Sequence, residues 1–116
     1  MAITGIGGLF FRTRDPKAIQ AWYKTHLGLE MGGEWQQQAG PSVLAPFADD
    51  SDYFAADRRW MINFRVDDLD ALLQSLASAG IEFITKPEWD IPELGRFARI
   101  HDPEGNPIEL WEPPAP

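Results

Sequence analysis

Asn106-Pro107-Ile108-Glu109-Leu110-Trp111-Glu112, with His101-Asp102-Pro103-Glu104-Gly105 before it, is the most informative stretch of the chain. Asp-Pro-x-Gly is a turn sequence, because proline pre-sets one φ and glycine accepts a positive one. The residues after it alternate as in a strand. Ile108 and Leu110 fall on one sheet face; Pro107, Glu109 and Trp111 fall on the other. A carboxylate beside a tryptophan on the second face is either a solvent edge or the wall of a cavity.

Upstream, the chain repeats itself. Phe11-Arg12-Thr13-Arg14-Asp15 corresponds to Phe64-Arg65-Val66-Asp67-Asp68 at a spacing of 53. Each copy runs into a helical pattern and leaves through a similar exit, Leu27-Gly28-Leu29-Glu30 or Ala79-Gly80-Ile81-Glu82, one residue out of step. Such self-similarity points to a duplicated unit. Asp15 is a natural N-cap, with Pro16 at the first helical position. Ile19, Trp22, Tyr23 and Leu27 share a helical face, and Gly28 ends it. Asp67 or Asp68 caps the second helix, Leu69, Leu72, Leu73 and Leu76 follow at helical spacing, and Gly80 closes it. Helices are expected over 15–27 and 68–79. Strands are expected over 6–13, 29–36 and 41–47 in the first copy, and over 60–66, 82–89, 95–101 and 106–112 in the second.

The expected fold is therefore α+β: one domain over 1–116, with a first module over about 3–52 and a second over about 58–113. Residues 48–59 connect them, and Pro113-Pro114-Ala115-Pro116 forms a proline-rich tail over 113–116 that no strand can continue through. A chain of 116 residues suffices for one compact domain. It has no cysteine, which excludes disulfides, thiolate metal sites and a cysteine nucleophile. The N-terminus lacks the pattern of a signal peptide and no segment is apolar enough to span a bilayer, so the reading is cytoplasmic. The net charge of −8, without a basic stripe, argues against nucleic acid and anionic membranes as partners. It favours neutral or cationic ligands, or simply keeps the domain soluble.

The closing strand, the Trp22-Tyr23…Leu27-Gly28-Leu29 helix exit and the repeat together resemble the vicinal oxygen chelate superfamily of glyoxalases, bleomycin-resistance proteins and extradiol dioxygenases. The resemblance spans nearly the whole chain. It implies two pseudo-symmetric βαβββ modules whose curved mixed sheet surrounds a cleft, with the helices on the outer face, and commonly a homodimer. It also implies that Glu109 matches a metal ligand of the family's metalloenzymes. The other ligand positions fall on Gly8, Met61 and the stretch 43–47, Val43-Leu44-Ala45-Pro46-Phe47, which offer no suitable donor. One carboxylate does not hold a catalytic divalent metal, so no metal and no cofactor are expected. Gly5-Ile6-Gly7-Gly8 precedes a strand, not a helix, and is no nucleotide loop.

Alternation in 60–66 puts Trp60, Ile62, Phe64 and Val66 under the helix and Met61, Asn63 and Arg65 on the cleft face. The repeat carries this to Phe10 and Arg12. Phe10, Arg12, Met61, Asn63, Arg65 and Trp111 are the expected ligand-binding residues, around Glu109. Three functions remain open. One is a metal-free small-molecule binding protein of the glyoxalase/bleomycin-resistance type. The second is a glyoxalase-like lyase or isomerase with Glu109 as catalytic general base. The third gives Glu109 a structural role and places the function in an interface.

Overall fold

The computed structural model describes residues 2–115; Met1, and Pro116 at the end of the expected tail, lie outside the described residues. Two helices and four strands form, in the order α1 (Pro16–Leu27), β1 (Ile62–Arg65), α2 (Leu69–Ser78), β2 (Asp90–Ile91), β3 (Gly95–His101) and β4 (Pro107–Glu112), with a 3₁₀ turn at Pro87–Trp89 before β2. The helix boundaries follow from their caps. Asp15 accepts from the Ala18 N–H at 3.1 Å, Pro16 opens α1, and Gly28 ends it in the left-handed region at φ 66°. Asp68 caps α2 through the Ala71 N–H at 3.0 Å, and Glu112 accepts from the Leu69 N–H at 2.8 Å. These carboxylates satisfy N–H groups that no helical carbonyl reaches.

The sheet order is β1-β4-β3-β2. β1 runs parallel to β4, while β3 is antiparallel to both β4 and β2, so the sheet is mixed. One face carries Ile62, Phe64, Ala98, Ile100, Ile108 and Leu110. It packs against Ile19 and Tyr23 of α1 and Leu69, Leu73 and Leu76 of α2. Ala98, Ile100 and Ile108 are wholly buried. Each large aliphatic side chain so buried contributes about 1.5–3 kcal/mol, and this layer is the core. Both helices lie on this side, leaving the opposite face to the site.

The turn between β3 and β4 fastens the N-terminal half to the sheet. Asp102 is 4% exposed and accepts four hydrogen bonds: Tyr23 Oη at 2.8 Å, Glu104 N at 2.9 Å, Asn106 N at 3.0 Å and Asn106 Nδ2 at 2.8 Å. Burial, and then the bond to Asp102, push the Tyr23 phenol well above its usual range, so it remains a donor. Glu104 takes the Thr13 hydroxyl and the Arg14 N–H, and Arg58 Nη2 donates to the Glu104 carbonyl at 2.8 Å.

The strands differ from the sequence expectation in the first half. Residues 6–13, 29–36 and 41–47 lie outside the sheet, and all four strands come from 62–112. A strand exists by pairing, and these segments pair with neither outer edge of the sheet. Several of their apolar side chains are exposed, Phe10 at 92%, Leu44 at 81% and Val43 at 76%, while Leu29 and Met31 pack against the core. Trp60, expected under the helix, is 76% exposed, because β1 begins only at Ile62. In place of a strand over 82–89 there is one bridge, Ile84 to Arg99, followed by the 3₁₀ turn. Pro87 has no N–H to give a ladder.

Candidate functional site

Register sets the site. β1, β4 and β3 align Asn63, Glu109 and Arg99 in one row, and Arg65, Trp111 and Phe97 in the next. Paired residues point to the same face, so all six stand on the side away from the helices. The first row runs from solvent inward: Asn63 is exposed, Glu109 is 9% exposed and Arg99 is 5% exposed.

Both carboxylate oxygens of Glu109 are engaged. Asn63 Nδ2 donates to Oε1 at 2.8 Å, and the Tyr53 hydroxyl donates to Oε2. Tyr53 comes from the acidic connection between the repeats and folds over the row. Its phenol is pushed up to about 12, first by burial and then by the Glu109 carboxylate, with Arg99 working in the opposite sense. Tyr53 therefore stays a proton donor at neutral pH. The Arg99 guanidinium lies over the rings of Tyr53 at 4.8 Å and Trp89 at 5.6 Å, and Nη1 donates to the Tyr53 carbonyl at 3.0 Å. Phe47 stacks on Tyr53 at 5.2 Å and completes the apolar cover.

The second row is more structural. Trp111 stacks on Phe97 at 6.0 Å, and its Nε1 donates to the Leu94 carbonyl at 2.7 Å. Arg65 clasps the loop before β1: Nη2 donates to Gln38 O at 2.7 Å, and Nη1 to Pro41 O and to Ser42 Oγ at 3.4 Å.

Of the residues expected at the site, the sheet gathers Asn63, Arg65, Glu109 and Trp111 on one face. Met61 lies just before β1 and is half-buried. Phe10 and Arg12 stand on the exposed N-terminal segment, apart from this row. Sequence reasoning missed Arg99 and Tyr53, whereas Trp89 is among the tryptophans that it offers as stacking faces. For Arg99 a signal was present: Ala98 and Ile100 alternate with Phe97 and Arg99 as Ile108 and Leu110 do with Glu109 and Trp111. Tyr53 sits in an aperiodic loop and gave none.

A groove of about 550 Å³ lies elsewhere, between α2 and residues 83–90, bordered by Leu73, Ala77, Phe83 and Trp89. Its rim charges Arg96 and Asp70 are paired with each other at 2.7 Å, and Gln74, Thr85, Lys86 and Asp90 also line it.

The donor set does not fit the divalent metal of the superfamily's metalloenzymes. Tyr53 and Asn63 hold the Glu109 oxygens, a guanidinium stands next to it in the row, and the described residues contain no group of three His, Cys, Asp or Glu able to share an ion.

The fold agrees with the relationships of the chain. A sequence profile of the glyoxalase/bleomycin resistance protein/dioxygenase superfamily matches residues 5–110, and the chain belongs to that superfamily. It is 43% identical over 54 residues to CFP32 of Mycobacterium bovis, named as a glyoxylase; this covers 47% of the chain and 20% of CFP32. It is 35% identical over 66 residues to the anthracycline biosynthesis protein DnrV of Streptomyces peucetius, covering 57% of the chain and 24% of DnrV. The chain thus matches only about a fifth to a quarter of the length of these relatives. The crystal structure of TnmS3, an antibiotic-binding protein from Streptomyces sp. CB03234, superposes with a TM-score of 0.64 at 24% identity, covering 97% of this chain and 98% of that one. That likeness speaks to the fold.

Proposed function

We propose that the chain is a metal-free small-molecule binding protein of its superfamily, with its ligand held on the Asn63–Glu109–Arg99 row. The observation that carries this is the composition of that row. A few fixed polar groups are covered by the aromatic rings of Tyr53, Trp89 and Phe47, and solvent reaches the row at its Asn63 end. The antibiotic-binding role named for TnmS3 supports a small-molecule ligand, and the anthracycline context of DnrV supports an aromatic one. The reading of Glu109 as general base for a lyase or isomerase is weakened by its two hydrogen bonds, which occupy both of the oxygens that a base would turn to its substrate. Small molecules retained through purification, identified by untargeted mass spectrometry, should include an aromatic species. Its binding should weaken by about 1–3 kcal/mol in Trp89→Ala, the scale of one lost ring contact. A chain that retains nothing, and whose tryptophan fluorescence no aromatic compound perturbs, would remove the reading.

We further propose that the two repeats are the pseudo-symmetric βαβββ modules of one domain and that the chain acts as a homodimer. The unpaired outer edge of β1 and the exposed Phe10, Val43, Leu44 and Trp60 support this, since edges and apolar patches of this kind are covered in stable proteins. In a dimer, segments 6–13, 29–36 and 41–47 gain strand partners, and Phe10 and Arg12 come to a cleft face. Light scattering at micromolar concentration should give twice the chain mass of 13.1 kDa; a monomer there would count against the dimer.

A further inference from the structure

Arg99 is the group in the molecule whose bonding is least complete. It is 5% exposed, yet Nε and Nη2 have no hydrogen-bond partner among the described residues. A buried donor without an acceptor is costly, more so when charged. The expected partner is Glu109, its neighbour across β3 and β4, but the Glu109 oxygens are held by Tyr53 and Asn63, and Arg99–Glu109 is not among the ion pairs formed by the described residues.

The geometry of the unused donors is specific. Nη1 is spent on the Tyr53 carbonyl, so Nε and Nη2 remain as the two parallel N–H groups along one edge of the guanidinium. That edge matches a planar two-oxygen acceptor. The rings of Tyr53 and Trp89 lie against the guanidinium at 4.8 and 5.6 Å, so an acceptor has to approach in its plane. We propose that the Nε/Nη2 edge of Arg99 is a carboxylate-binding subsite, taking the acid group of an aromatic ligand that packs against Tyr53 and Trp89. This rests on the reading of the row as a small-molecule site and adds the ligand class: an aromatic carboxylate, an anion bound by a strongly acidic chain.

Protein labelled with ¹⁵N and titrated with 2-naphthoate, and in parallel with 2-naphthamide, tests the subsite through the Arg99 Nε–Hε resonance. The acid should shift that resonance saturably and bind about 10- to 100-fold more tightly than the amide, the scale of a charge-assisted bidentate contact. Arg99→Lys should bring the acid down to the level of the amide, because an ammonium offers no fork. The wild-type resonance carries the test should that variant fold poorly. Equal binding of acid and amide, or acid binding that leaves the Arg99 resonance unmoved, overturns the subsite while the small-molecule reading stands. If neither probe moves any resonance of Tyr53, Trp89 or Asn63, both fall.

Discussion

Gly95→Ala should lower the unfolding free energy by about 3 kcal/mol or more, read as a shift of the urea midpoint at unchanged m-value. Gly95 opens β3 at φ +112°, a conformation that L side chains rarely adopt. A Cβ there would lie 2.2 Å from the Glu112 carbonyl oxygen, 2.9 Å from Trp111 Nε1 and 3.0 Å from Pro113 Cα. Two of these are backbone atoms, which do not swing aside as a flexible side chain would. The Trp111 indole is held by its bond to the Leu94 carbonyl. Relief requires β3 and β4 to part where Arg96 pairs with Glu112, and the near-ultraviolet signal of Trp111 should weaken in parallel. A loss below about 1 kcal/mol would mean that this end of the sheet is far softer than its contacts imply.

Asp102→Ala should cost about 2–4 kcal/mol, because it strands several donors at once. The Tyr23 hydroxyl and the N–H groups of Glu104 and Asn106 all lose their acceptor. Asp102→Asn should recover part of the loss, since the amide oxygen still accepts while the amide nitrogen confronts other donors. Thermal unfolding checks both variants. Equal stability of Asp102→Ala and the parent would deny the turn its role as the fastening of α1.

Much of this organisation was legible in the residues. Helices expected over 15–27 and 68–79 form at Pro16–Leu27 and Leu69–Ser78, because Asp15, Asp68 and Gly28 are local signals whose geometry needs no distant partner. The faces of Ile108–Leu110 and Glu109–Trp111 followed from alternation and hold. Trp60 failed because alternation says nothing about where a strand begins. Arg65 is expected among the ligand-binding residues, and the carbonyls of Gln38 and Pro41 occupy its guanidinium; a loop that reaches 24 residues across the chain leaves no periodic trace. Tyr53 was invisible for the same reason, although it covers the Glu109 carboxylate. Gly95 carried no signal because its neighbours come from the following strand rather than from its own.

The fastening at Asp102 also has a consequence for the order of folding. Its bonds to Glu104 and Asn106 close over two and four residues, while its bond to Tyr23 closes over 79. Closing the longer loop loses more chain entropy, so the β3–β4 hairpin can form well before α1 docks upon it. Removing the local bonds slows refolding; removing only the distant one, as in Tyr23→Phe, acts chiefly by hastening unfolding. A single carboxylate thus sits at both the earliest and the latest step of assembly, and chevron plots of Asp102→Ala, which removes both kinds of bond, and Tyr23→Phe, which removes only the distant one, separate them.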